Sequence, residues 1–205
     1  MTIIGIIASL TIPDLIQNIT DQQNKIAYKK VYSELSQASL SIMEDHGGTL
    51  KGIWTSGLWT DMRDAYKTKL MAIKSCDSGA LRGSCWSPVF YGLDNSIITY
   101  ISVVKFDGYS EAGHTNPPGI ILSSGTFVAF EPDFDCVAFT EENCGSIYVD
   151  VNGFKNPNKM GKDIFAIHVT PMGLKPFGYQ GASGNMTLCD TAHNGYACSL
   201  LYLIQ

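Results

Sequence analysis

The sequence predicts an α+β fold in which a long N-terminal α-helix packs on an antiparallel β-sheet within a globular head. Three observations support this prediction. The first 45 residues have the pattern of one long helix, with apolar residues at helical spacing from Asp14 to Asp45, whereas the segments after Cys76 switch to the two-residue period of strands. Short turns rather than helices separate these later segments, and strands that are joined by short turns pair antiparallel.

The long helix is predicted to have two unlike halves. From Ile3 to Ile12 it carries no charge and is apolar on every side, and Pro13 follows. A helix of this kind suits lipid or a protein interior. It offers only about 12 apolar residues where a membrane span takes about 20, so it is either a buried core element or part of a longer membrane segment. We assign residues 1–25 to this apolar half and residues 26–205 to the head.

The second half of the helix carries one apolar stripe at spacings of three and four, formed by Tyr28, Val31, Leu35, Ala38 and Ile42. Upstream, an apolar face continues and is interrupted at Gln22 and Gln23; it is formed by Ile12, Leu15, Ile19 and Ile26. Opposite charges four residues apart, at Asp21/Lys25 and Lys30/Glu34, indicate ordinary solvent-facing ion pairs. Gly47 and Gly48 are predicted to end the helix.

The head is predicted to contain a second helix followed by strands. This helix is predicted over residues 57–74 by an apolar stripe. The stripe consists of Trp59, Met62, Tyr66, Leu70 and Ile73. Alternating patterns and intervening Gly, Pro, Asn or Ser residues predict the strands and their turns. The predicted strands are residues 97–106, 120–122, 126–130, 146–151 and 163–170, with a loop at 108–119, and residues 200–205 continue a strand pattern.

Composition and charge limit the classes of function. The chain has 205 residues, of which 45% are hydrophobic, and its formal net charge is −5 with 14 basic residues. This length suits one extended element plus one compact domain that is large enough to bury a core. The acidic balance argues against a broad nucleic-acid-binding surface, so no nucleic-acid partner is expected.

The six cysteines fall into three local pairs, Cys76/Cys85, Cys136/Cys144 and Cys189/Cys198. Each pair brackets a short loop rich in turn-forming residues, which is typical of disulfide-closed loops in exported proteins. Six cysteines allow many connectivities, and the sequence alone does not fix one. A zinc site is the alternative, but no Cys-x-x-Cys occurs and only His193 lies near a pair.

The candidate chemistry points to metal binding rather than to catalysis. His46, His114, His168 and His193 are scattered, and no motif joins them to a nucleophile, so we expect no enzyme. Residues 150–163 instead gather oxygen donors among turn formers, and calcium takes about six to eight oxygen ligands. These donors are Asp150, Asn152, Asn156, Asn158 and Asp163. Calcium is therefore a possible cofactor here, although the same residues could simply cap turns through their own backbone.

The N-terminal half also carries a family resemblance. The run IIGIIASLTIPDLIQN, followed by KKVYSELSQA, resembles the N-terminal helix of type IV pilins and of the pseudopilins of type II secretion. Pro13 stands where that family has a helix-kinking proline. The Cys76–Cys85 loop, the segment VDVNGFKNPNKMGKDIF and the late cysteine pair resemble the heads of such proteins more weakly.

The resemblance implies a pilin-like fold and a structural subunit of a type IV pilus or type II secretion pseudopilus. The partners of such a subunit would be other pilin or pseudopilin subunits. The subunit would lie in the bacterial cytoplasmic membrane before assembly and in a periplasmic or cell-surface filament afterwards. Packing in the membrane and filament core would involve Ile3, Ile4, Gly5, Ile6, Ile7, Ala8, Ser9, Leu10, Ile12 and Pro13. Gly5, Ala8 and Ser9 would allow neighbouring helices to approach closely.

Two further expectations follow from this resemblance. The family's processing signal is a Gly followed by Phe-Thr-Leu-x-Glu just before the apolar run, and we expect it upstream of Met1. Major pseudopilins bind calcium, which favours a cation at the Asp150–Asp163 segment. The alternative function is a secreted or membrane-anchored binding module with an adhesin-like head that does not polymerise.

Overall fold

A computed structural model describes residues 2–54, 58–77, 79–98, 117–133, 136, 143–179 and 189–205, and for residues 2–14 and 17 it describes the backbone alone. The helices are α1 (Thr2–Asp45), α2 (Thr60–Lys67) and α3 (Cys198–Ile204). The strands are β1 (Ala72–Cys76), β2 (Phe90–Tyr91), β3 (Ile97–Ile98), β4 (Gly119–Leu122), β5 (Phe127–Pro132), β6 (Gly145–Asp150), β7 (Ile164–Thr170) and β8 (Gly173–Pro176). The predicted α+β class, with a long helix and an antiparallel sheet, is confirmed.

Six strands form one antiparallel sheet in the order β1-β4-β5-β6-β7-β8, and β2 pairs with β3 in a separate small sheet. From β4 onward, strands that follow one another in sequence are neighbours in the sheet. The predicted hairpin between β4 and β5 is confirmed, with Gly125 at φ 86° in its turn. Its left-handed backbone explains why the turn needs glycine.

The predicted stripe on α1 packs against one face of the sheet. Tyr28, Leu35 and Ile42 are at most 1% exposed, and they share a core cluster with strand residues such as Val128 and Ile147. The Tyr28 ring stacks on Phe165 with 4.1 Å between centroids. The helix stops at the predicted glycines, where the Gly48 N–H donates to the Met43 carbonyl as in a Schellman motif.

The opposite face of the sheet is buried under a second apolar cluster. Alternate residues of the central strands point to opposite faces, so Phe130 joins the α1 cluster while Ala129 joins the second one. Trp86, Phe90 and Phe177 cover this second face. The sequence pattern predicted a helix on the sheet but not this second core.

Two predicted elements are wrong. The helix predicted over residues 57–74 ends at Lys67, and Ala72–Cys76 forms strand β1, in which Ser75 pairs with Ile120. Ile73 is 69% exposed, so it belongs to no buried helical stripe. Pairing with β4 and the link from Cys76 to Cys85 override the local helical pattern in this segment.

The C-terminal residues also differ from the prediction. Residues 200–205 lie in or directly after helix α3 rather than in a strand. Cys198, Ser199 and Tyr202 are its buried residues, a spacing of one and three that fits one side of a helix turn. The Tyr202 ring lies 4.9 Å from the ring of Phe165 in β7, and α3 also contacts α1.

The remaining sequence predictions for the head meet the structure in part. The strand predicted at 97–106 begins as β3, but residues 99–106 and most of the loop predicted at 108–119 lie outside the described residues. The strands predicted at 146–151 and 163–170 correspond to β6 and β7. The disulfides join Cys76 to Cys85, Cys136 to Cys144 and Cys189 to Cys198, which are the predicted local pairs.

Candidate functional site

The segment with the predicted oxygen donors connects two central strands of the sheet. Strand β6 ends at Asp150, β7 begins at Ile164, and these two residues pair across the ladder. We call residues 150–163 the Asp150–Asp163 loop. Both carboxylates are fully buried at 0% exposure, and Asn158 is 5% exposed. The loop therefore carries two acidic groups that water does not reach.

Asp163 organises the second half of this loop. Its Oδ1 accepts the Lys159 N–H at 2.6 Å, and its Oδ2 accepts the Asn158 N–H at 2.8 Å. The side-chain amide of Asn152 donates to the same Oδ2 at 3.1 Å. Three donors on one carboxylate fix the turn that leads into β7.

Asp150 organises the first half of the loop. Its Oδ1 accepts the backbone N–H of Asn152 at 3.2 Å and of Gly153 at 2.9 Å. Gly153 has φ 69°, and a Cβ placed there would lie 2.9 Å from the Gly125 carbonyl oxygen. A larger residue would therefore be both strained and crowded at this position.

Three oxygens of the loop accept no hydrogen bond from any residue in the described part of the chain. They are Asp150 Oδ2, Asn152 Oδ1 and Asn158 Oδ1, and all three are buried. A buried acceptor without a donor costs about 1–3 kcal/mol, so native proteins rarely leave several in one loop. Each of these atoms carries lone pairs that a hard cation could use.

The electrostatics of the two carboxylates agree with this picture. Burial raises the pKa of Asp150 well above its ordinary value, and the neighbouring Asp163 raises it further. Burial also raises the pKa of Asp163, against the hydrogen bonds from Lys159, Asn158 and Asn152, which lower it. The site disfavours two negative charges side by side, and a proton or a metal ion would relieve the repulsion.

The structure brings the predicted ligands Asp150, Asn152 and Asp163 into one hydrogen-bonded unit, and Asn156 and Asn158 belong to it as well. Among the described residues, no three His, Cys, Asp or Glu side chains are grouped so that they could hold a metal ion. A cation here would depend on two carboxylates together with amide oxygens, a donor set that calcium accepts.

The loop also contacts α1, which the sequence did not reveal. Lys162 Nζ forms an ion pair with Asp21 Oδ2 at 2.8 Å, and Asn24 Nδ2 donates to the Lys162 carbonyl at 3.3 Å. The predicted helical pair Asp21/Lys25 is therefore wrong, because Lys25 Nζ lies 5.6 Å from the centroid of the Tyr202 ring instead. Lys30 and Glu34 do form the predicted solvent-facing pair at 3.9 Å. Asp21 and Lys162 are 141 residues apart, so no local pattern could have linked them.

A second feature lies on α1 itself. Leu15, Ile19 and Ile26 are 60%, 49% and 68% exposed, and their spacing places them on one side of the helix. Ile26 precedes the buried Tyr28 by two residues, which is about 200° around a helix. We call Leu15, Ile19 and Ile26 the outer stripe, since it lies on the side of α1 that faces away from the sheet.

The first part of α1 extends beyond the head contact. Every described side chain from residue 15 to residue 19 is exposed, and the first partly buried one is Thr20. The helix continues through Pro13, but the side chains of the predicted packing residues from Ile3 to Pro13 lie outside the described part. No helix within the described residues is long and apolar enough to span a membrane.

The described histidines each contact a different partner. His46 Nδ1 contacts the Ile42 carbonyl at the end of α1, and His168 stacks on the Phe177 ring. His193 Nδ1 lies 2.6 Å from Asp190 Oδ1 on the surface. His114 lies outside the described residues.

Comparisons with family models, with curated proteins and with solved structures give no match to this chain.

Proposed function

We propose that this protein is a structural subunit of a filament of the type IV pilus or type II secretion pseudopilus class. In this proposal α1 packs against the equivalent helices of neighbouring subunits. The observation that supports it best is the outer stripe, a row of large apolar side chains on the side of α1 that the head leaves open. Large apolar side chains that stay exposed along one side of a helix are available for contact with a partner.

Two sequence features support the same proposal. The segment from Ile3 to Asn18 resembles the N-terminal helix of pilins, including the position of Pro13. The three disulfides suit a head that folds outside the cytoplasm. The subunit would wait in the bacterial cytoplasmic membrane through its apolar half and would then join a periplasmic or cell-surface filament.

The test is site-specific photo-crosslinking in cells that naturally produce the protein. A photoreactive amino acid replaces Ile16, which is 59% exposed beside the outer stripe, and in a matched variant it replaces Leu40, which is 61% exposed on the same helix within the head. We expect covalent adducts to other subunits from position 16, because that part of α1 would lie in the filament core. Position 40 should give few or none.

Each outcome of this crosslinking separates the two candidate functions. Adducts at position 16 with the mass of two or more subunits support the filament. Adducts to lipid alone, with no protein partner at either position, would contradict it and favour an anchored binding module. Equal subunit adducts at both positions would also contradict the filament proposal, because contact between subunits would then not be concentrated in the first part of α1.

A further inference from the structure

The head contacts two parts of α1 by different chemistry. From Tyr28 onward the contact is apolar, because Tyr28 and Leu35 are fully buried and the Tyr28 ring stacks on Phe165. Before Ala27, in contrast, every apolar side chain that the structure describes on α1 is exposed. These side chains are Leu15, Ile16, Ile19 and Ile26. The first part of α1 therefore gains little hydrophobic stabilisation from the head.

Polar contacts hold α1 to the head before Ala27. Asp21 Oδ2 pairs with Lys162 Nζ at 2.8 Å, and Asn24 Nδ2 donates to the Lys162 carbonyl at 3.3 Å. Lys25 Nζ lies 5.6 Å from the centroid of the Tyr202 ring, which is within the range of a cation–π contact. We call Asp21, Asn24 and Lys25, together with Lys162 and Tyr202, the polar anchor.

The geometry of the polar anchor limits its strength. The side chains of Asp21 and Lys162 are each 30% exposed, so water competes for both charges. Asn24 is buried, but its hydrogen bond is longer than the usual distance of about 2.9–3.0 Å. Such contacts contribute less net free energy than the buried apolar side chains from Tyr28 onward. The polar anchor can therefore open while the apolar contact stays closed.

Opening of the polar anchor would give α1 a defined pivot. Tyr28 is the first fully buried side chain after the anchor, and Ile26 of the outer stripe lies between the two. Leu15, at the other end of the outer stripe, lies about 20 Å before Tyr28 at 1.5 Å per residue. A small rotation at Tyr28 would therefore displace the outer stripe relative to the head.

We propose that the polar anchor is a releasable attachment, which opens while α1 stays packed from Tyr28 onward and so lets the first part of α1 take more than one direction relative to the head. Every residue of the anchor belongs to one chain, so the release itself does not depend on filament assembly. Its use rests on the proposed function, because a subunit that passes from a membrane into a filament must present the outer stripe to two environments.

The first experiment measures amide hydrogen exchange of the full-length protein. In Lys162→Met the ion pair is lost while the sequence of α1 is unchanged, so exchange over residues 21–26 should rise by up to about fivefold. Exchange over residues 31–42 should not change, because the apolar contact holds that part of the helix. The matched control is Lys159→Met in the same loop, since Lys159 Nζ donates to Asn95 rather than to α1.

The outcomes of the exchange experiment decide whether the anchor opens separately. Faster exchange over residues 21–26 in Lys162→Met alone supports the proposal. Unchanged exchange in Lys162→Met would overturn it, as would an equal rise in Lys159→Met. A rise that extends through residues 31–42 would also overturn it, because α1 would then be released as one unit.

The second experiment tests the change of direction with distances between two nitroxide labels, introduced as non-natural amino acids. One label replaces Ile97 of the β2–β3 sheet, which lies across the main sheet from α1, and the other replaces Ile16. In the double variant Asn24→Ala, Lys162→Met, the distance distribution should broaden or split. The control pair, with the label at Gln37 instead of Ile16, should keep one narrow distribution. An unchanged distance from Ile16 would refute the proposal, because packing of the later part of α1 would then fix its direction.

Discussion

Replacing Leu35 by alanine tests whether the second half of α1 is part of the core of the head. Leu35 is fully buried in the cluster between α1 and the sheet, together with Val31 and Ala38. The substitution removes three carbon atoms, worth about 2.4 kcal/mol at 0.8 kcal/mol per buried CH₂, and the cavity that remains adds to this. We expect unfolding to become easier by about 3–4 kcal/mol.

Urea denaturation of the full-length protein with its disulfides intact measures this change. The matched control is Leu40→Ala on the same helix, where the side chain is 61% exposed and the expected loss is below about 0.5 kcal/mol. Both variants make the same chemical change and the same change in helix propensity, so the difference between them reports burial alone. A loss below about 1 kcal/mol for Leu35→Ala, or equal losses for both variants, would refute the packing of α1 on the sheet.

Two further predictions concern backbone geometry and alkaline stability. Gly161→Ala should cost more stability than Gly83→Ala, because both glycines have φ near 72–73° but only a Cβ at Gly161 would meet Cys198 Sγ, at 2.7 Å; similar melting temperatures would contradict this. Burial raises the pKa of Tyr66. The stability that the neutral Tyr66 contributes is therefore intact below about pH 10, and above pH 10 it falls by up to about 1.4 kcal/mol per pH unit. Absorbance at the phenolate band should show Tyr66 ionising only as the protein unfolds, and its ionisation in the folded protein at pH 10 would refute the prediction.

The elements that the sequence predicted correctly are those whose signal is local. The stripe from Tyr28 to Ile42 repeats over four turns and ends at two glycines, so its pattern outweighs any single contact. The β4–β5 hairpin has a turn glycine between two apolar runs. Each cysteine pair closes a loop of eight or nine residues, and such loops favour the nearest partner.

The elements that the sequence did not predict depend on distant contacts. Strand β1 contains residues that also fit a helical stripe, and only pairing with β4, more than forty residues later, decides between the two. The second core could not be anticipated because most of its covering residues, such as Trp86 and Phe177, lie in loops without a periodic pattern. Local propensity loses to long-range pairing in such segments.

The candidate site shows the same division. The oxygen donors of the Asp150–Asp163 loop are dense enough in sequence to be recognised, and turn formers between them predict a compact loop. Which oxygen stays without a donor depends on the fold, because Asp163 uses both of its oxygens and Asp150 only one. The contact of Lys162 with Asp21 is likewise visible only in three dimensions.

The position of the disulfides follows from the way in which the sheet is covered. Helices cover one face, whereas loops with little regular structure cover much of the other, and such loops lose more conformational entropy per buried side chain. Cys76–Cys85 closes the loop that carries Leu81 and precedes Trp86, and Cys189–Cys198 closes the loop that carries Tyr196. In the chain-entropy model each closure stabilises the fold by about 2–3 kcal/mol. The Cys76–Cys85 bridge therefore constrains the loop-covered face, whereas Cys136, Cys144 and Cys198 belong to the cluster on the α1 side.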